Sequence, residues 1–133
     1  MQFDRYFTPQ EANALLPQLR PLLAAIQTRK AEIDRLEVEV RRVQRLVRGN
    51  GGGLSEEAVQ QQHARLREEA DALQRALEDV QALGCQVKDL DTGLVDFPSR
   101  RSGEIILLCW RVDEPAVAHW HDLDSGFRGR QPL

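Results

Sequence analysis

Two heptad frames separated by a glycine run restrict the first 84 residues to one kind of structure. In the first frame, apolar residues recur at Leu15, Leu19, Leu22, Ile26, Ile33, Leu36, Val40, Val43 and Val47. The steps alternate between four and three and are interrupted only at Arg29 and Lys30. Val59, His63, Leu66, Ala70, Leu73, Leu77 and Val80 carry the second frame. Between them lies Gly49-Asn50-Gly51-Gly52-Gly53, whose backbone entropy cost no regular element absorbs. So short a link makes the helices antiparallel neighbours with facing seams, a coiled-coil-like hairpin. Thr8-Pro9-Gln10-Glu11 is a capping box with proline at the first helical position. Pro17 and Pro21 predict a kink or a fresh start, with an uninterrupted segment from about residue 21 to Arg48. Leu54 and Val59 flank Ser55 as a hydrophobic staple, Glu56 and Glu57 suit the positive end of the second helix, and Gly84 stops it.

After Gly84 the period becomes two. Gln86–Leu90, Leu94–Phe97, Glu104–Val112 and Val117–Asp122 read as strands, with turns at 91–93, 98–103 and 113–116. Short connections imply an antiparallel meander. The tail from Asp124 to Leu133 is glycine-rich and aperiodic. The fold class is therefore α+β, with a helical hairpin over 1–84 and a small β-unit over 85–133 packed as one domain.

A helix of about 27 residues is roughly 40 Å long, more than a β-unit of this size covers. Self-association of the hairpin into a four-helix bundle, a homodimer, is the economical way to bury the rest. The alternative is a monomer whose sheet packs across one face of the hairpin, and a protein partner is a further expectation for the exposed surface. His63 sits in the second seam, where a polar residue sets register. The net charge of −3 gives no reason to expect nucleic acid or an acidic membrane. Arg41, Arg42, Arg45 and Arg48 complement the negative end of their helix and lack a companion aromatic surface. The longest apolar run, Ile105–Trp110, is too short to span a bilayer. The first ten residues lack a signal-peptide layout, and Cys85 and Cys109 read as reduced thiols, so the expectation is a cytoplasmic protein.

Chemistry concentrates between residues 109 and 124, which hold Cys109, Trp110, Glu114, His119, Trp120, His121, Asp122 and Asp124. His119 and His121 are two apart on a predicted strand and leave the same face, a spacing that places two imidazoles on one ion. Cys109 or a carboxylate among Asp96, Glu114, Asp122 and Asp124 would complete the set, with zinc the default and iron, nickel or copper the alternatives. Loop parity decides whether Cys109 joins. A loop over 113–116 places Trp110 opposite His119, and one over 113–115 places Cys109 there. The competing reading is a hydrogen-bonded polar cluster. An anion site using Arg128 and Arg130 is a third reading. A thiol enzyme, with Cys109 activated by His119 or His121, fits poorly because Cys109 lies in an apolar strand and no recurrent catalytic motif is present.

Phe7-Thr8, Glu11-Ala12, Leu15-Leu16-Pro17, Gly84, Val87-Lys88-Asp89, Gly93 through Pro98, Leu108-Cys109-Trp110, Trp120-His121 and Gly129 through Pro132 together resemble a bacterial family, domain of unknown function 2203. The resemblance spans nearly the whole chain. It implies a cluster on the β-unit of Asp89, Asp96, Cys109, Trp110, Trp120, His121 and Arg130, with Glu114 a further family position. It also makes His121 the firmer match, since the family pattern expects a hydrophobic or aromatic residue where this chain has His119. The reading is a non-enzymatic interaction module that self-associates through its hairpin, or alternatively a metal-binding protein with its site around His121.

Overall fold

The computed structural model describes residues 3–50 and 56–133. It is an α+β arrangement of two helices, α1 (Pro9–Asn50) and α2 (Glu56–Ala82), followed by a five-stranded antiparallel meander. The strands are β1 (Gln86–Asp89), β2 (Leu94–Arg101), β3 (Glu104–Arg111), β4 (His119–His121) and β5 (Gln131–Pro132), in spatial order 1-2-3-4-5. No helix among the described residues is long and apolar enough to cross a membrane.

The capping box forms as expected: Thr8 N–H donates to Glu11 Oε1 at 2.9 Å and Glu11 N–H to Thr8 Oγ1 at 3.1 Å. The structure shows no fresh helix start at Pro17 or Pro21, and α1 runs through both. Each proline deletes one backbone bond, but Leu16, Leu19 and Leu23 are almost wholly buried around them, and that packing holds the helix. Gly49 and Asn50 extend α1 instead of ending it, while Gly51–Gly53 and the staple at Leu54 and Ser55 lie outside the described residues.

The chain divides into two compact units. One is Thr28–Arg75, the distal parts of both helices. Here the antiparallel sense is set by Arg29 pairing with Glu69 at 2.8 Å and Glu32 with Arg65 at 3.2 Å. The charges that interrupt the first apolar frame thus include a cross-helix ion pair. Ile33, Leu36, Val40 and Val43 are buried on α1, whereas Val47 is exposed. On the α2 side of this unit no described residue is buried.

The other unit joins the chain up to Gln27 with Ala76–Leu133. Its buried α1 stripe is Ala12, Leu16, Leu19, Leu23 and Ile26, so Leu16 and Leu23 take the positions the heptad frame gave to Leu15 and Leu22. The sheet supplies the reason, since it adds a packing surface that a two-helix seam lacks. Arg20 lies over the Trp110 ring, Asn13 pairs with the Val117 backbone, and Phe7 meets Phe97 edge-on. Val95, Phe97, Leu108 and Trp110, on one face of the sheet, are fully buried.

Strand β2 is longer than expected and passes through Pro98. In an antiparallel strand a residue's N–H and C=O point to the same side. The Pro98 carbonyl accepts from Phe7 N–H at 2.7 Å, on the edge away from β3, so the missing N–H removes no bond of the β2–β3 ladder. The turn is therefore only Ser102-Gly103, both at positive φ (53° and 80°), a two-residue hairpin whose backbone matches the strand twist. The tail also gains regular structure, a 3₁₀ turn at Phe127–Gly129 and β5.

Candidate functional site

The register of three adjacent strands builds the site. Asp96 of β2 is the cross-strand partner of Cys109 of β3, and Cys109 in turn pairs with His119 of β4. Two positions further along, His121 pairs with Leu107. Period two puts Asp96, Cys109, His119 and His121 on one face of the sheet, opposite Trp110 and Trp120. Asp96 and Cys109 have the same parity as Pro98, so they form a non-hydrogen-bonded pair, the class in which facing side chains approach most closely. The pairing that puts Cys109 opposite His119 is thus the observed one. The loop is longer than either alternative, since pairing stops at Arg111 and resumes at His119. Arg20 holds that loop by donating to the carbonyls of Val112, Glu114 and Pro115.

Asp96, Cys109 and His121 converge. One ligand-type atom from each lies within 4.8 Å of the other two, and all three residues are buried, at 3%, 0% and 3% exposure. His121 Nδ1 faces the Asp122 carbonyl at 2.6 Å, and its Nε2 faces Asp96 Oδ1 at 3.2 Å. A carbonyl oxygen only accepts, so Nδ1 carries the proton. In the neutral ring Nε2 is then a lone pair aimed at a carboxylate oxygen, two acceptors that require a proton or a metal cation between them. The Cys109 thiol is pushed up to about 12, chiefly by burial and next by the neighbouring Asp96 charge. A free thiolate nucleophile is therefore strongly disfavoured at neutral pH.

A second cluster lies alongside. Arg130 Nη2 donates to Glu114 Oε1 and Oε2 at 2.7 and 2.8 Å, to His119 Nδ1 at 2.9 Å and to the Cys109 carbonyl at 3.3 Å. Glu114 also accepts from Arg111 N–H at 2.7 Å. His119 is thereby engaged by Arg130 and stands outside the buried trio, although the spacing of the two histidines suggested a shared ion. Phe127 lies under both Arg111 and Arg130 and, with Asp89, Thr92 and Leu94, lines a cavity of about 170 Å³.

The remaining residues singled out in the sequence do other work. Trp110 is buried on the opposite face and donates its indole N–H to the Glu114 carbonyl. Trp120 is half-buried on that face, under Arg101. Asp89 caps its turn through Asp91 N–H and Thr92 Oγ1, and Asp122 does the same for Asp124 and Ser125 N–H. Arg128 is exposed and joins neither cluster. Arg20 was missed, because a single arginine on a helix has no pattern in the sequence that announces a loop contact 92 residues away.

The family model for an uncharacterized conserved protein, DUF2203, matches residues 5–133. No curated protein and no solved structure matches the chain.

Proposed function

The chain belongs to the DUF2203 family, and from the site we propose that it binds a single transition-metal ion, zinc first, through Asp96, Cys109 and His121. The observation that carries this is the opposition of two acceptors, His121 Nε2 and Asp96 Oδ1, 3.2 Å apart beside a thiol. A proton between them makes a buried imidazolium–carboxylate pair, whose desolvation cost is high. A metal ion satisfies both and takes the thiol as thiolate. The oxygen, sulfur and nitrogen donor set suits a borderline ion such as zinc, with iron, nickel or copper as alternatives. The Asp122 carbonyl on His121 Nδ1 is the outer partner that fixes a ligating tautomer.

The test is metal content of tag-free protein, followed by zinc titration against a chromophoric chelator. The expected result is one ion per chain, lost in His121→Ala and Asp96→Ala and retained in His119→Ala. Wild-type protein that binds no zinc, iron, nickel or copper at micromolar concentration would overturn the reading. Equal loss in His119→Ala would overturn the ligand set.

A second reading, self-association through the hairpin, is favoured by the under-buried α2. Val38 and Leu46 are exposed on α1, and none of the described α2 residues in Thr28–Arg75 is buried. Homodimerisation, or docking of another protein, would cover Leu66 and Leu73. Sedimentation equilibrium should give a dimer that Leu66→Lys with Leu73→Lys dissociates. A monomer at 100 µM, a concentration on the order of weak-dimer constants, would sink it.

A further inference from the structure

We propose that the C-terminal segment, Asp122–Leu133, is a latch whose closure is coupled to metal occupancy of Asp96, Cys109 and His121. This rests on the metal reading above. The segment is anchored on the ligands and their immediate neighbours. Its first residue, Asp122, accepts from ligand His121 through its carbonyl, and the Asp122 side chain accepts from Asp124 and Ser125 N–H to turn the chain. Near its far end Arg130 reaches the carbonyl of ligand Cys109, and its main clamp is Glu114 with His119, the cross-strand partner of Cys109. Beyond Arg130, β5 pairs with His119 and Trp120, and Leu133 N–H bonds the Ala118 carbonyl.

Apolar burial does little to hold this segment. Leu123, Phe127 and Leu133 are 39%, 41% and 45% exposed, and no residue from Asp122 to Leu133 is buried. A segment fastened mainly by polar contacts belongs to the low-stability end of a fold and opens locally. An ion that fixes the His121 ring also fixes the Asp122 carbonyl that its Nδ1 faces. Binding at the trio and closure of the segment therefore favour each other, and linkage makes the coupling reciprocal, typically 5–150-fold.

The experiment is hydrogen exchange of the full chain with and without saturating zinc, together with zinc dissociation from wild type and Arg130→Gln. The Arg130 variant keeps all three ligands. With zinc bound, exchange across 122–133 should slow at least about fivefold while that of Leu16–Leu23 in α1 is unchanged. Arg130→Gln should weaken zinc binding by a factor of the same order. Stoichiometric zinc with unchanged exchange in the segment overturns the latch and leaves the metal reading standing. Wild-type protein that binds none of zinc, iron, nickel and copper overturns both. The wild-type exchange arm does not depend on whether the variant folds.

Discussion

Replacing Glu114 with alanine tests whether the Arg130 cluster is structural glue or a surface ornament. Glu114 and Arg130 side chains are 17% and 11% exposed, and the pair is two-pronged at 2.7 and 2.8 Å. Truncation removes both contacts and the acceptor for Arg111 N–H. It leaves a nearly buried guanidinium with the Cys109 carbonyl and His119 Nδ1 as acceptors and the Phe127 ring beneath it. Breaking a fully buried pair costs about 3–5 kcal/mol, and the residual exposure and surviving acceptors reduce this to about 2–3 kcal/mol. A chain of this length has an unfolding entropy of about 0.28 kcal/mol/K, so the melting midpoint should fall by about 7–11 °C. Differential scanning calorimetry at pH 7 measures it. Asp113→Ala, which removes the partner of Arg111 in a pair where Asp113 is 65% exposed, is the control and should leave the midpoint nearly unchanged. Glu114→Ala within a degree of wild type, or equal to the control, would refute the burial argument.

Three further outcomes follow from the same structure. In metal-free native protein at pH 8, Cys109 (about 12) and Cys85 (about 11) should alkylate about 100-fold or more slowly than a free thiol, timed by mass spectrometry of iodoacetamide adducts. Because both thiols are raised above their ordinary value of 9.0, the folded state keeps protons that the unfolded chain gives up. The stability of metal-free protein is then complete below pH 9 and declines as pH rises toward 11–12, which urea midpoints from pH 8 to 10.5 should show. Gly93→Ala should cost about 2–4 kcal/mol, because φ is +70° and a methyl group would meet Val112 Cγ1 at 2.7 Å; a urea midpoint equal to wild type would contradict it.

Periodicity carried the helical half well because heptad repetition is redundant: nine positions report one frame. It failed where a second surface intervened. Leu16 and Leu23 displaced Leu15 and Leu22 from the buried stripe once the sheet lay against α1, and local prolines lost to that packing. The strand boundary at Phe97 was misread because proline normally ends a strand. Only the Phe7 contact on the outer edge reveals that Pro98 needs no N–H there. At the site, residue types were legible and partnerships were not. The His-x-His spacing pointed to two imidazoles on one ion, but Arg130, 11 residues further on, engages His119 and leaves His121 with Asp96 and Cys109. The family resemblance makes His121 the firmer match, and in the structure it is His121 that lies with Asp96 and Cys109 while His119 meets Arg130.

The arrangement of the trio also bears on what kind of metal site it would be. A catalytic ion keeps a coordination position that substrate can reach, whereas a structural ion is closed and contributes folding energy. All three donors here are at most 3% exposed, and Arg130 reaches the backbone of one of them. They come one each from β2, β3 and β4, so a single ion would tie three successive strands of the meander together side chain to side chain. β4 gains most from such a tie. It has three residues, its hairpin loop runs from Val112 to Ala118, and it pairs on its far side only with the two residues of β5. The buried trio thus sits where an ion would tie the three-residue β4 to β2 and β3, and the proposed ion is better placed to hold β4 and the segment beyond it than to turn over a substrate.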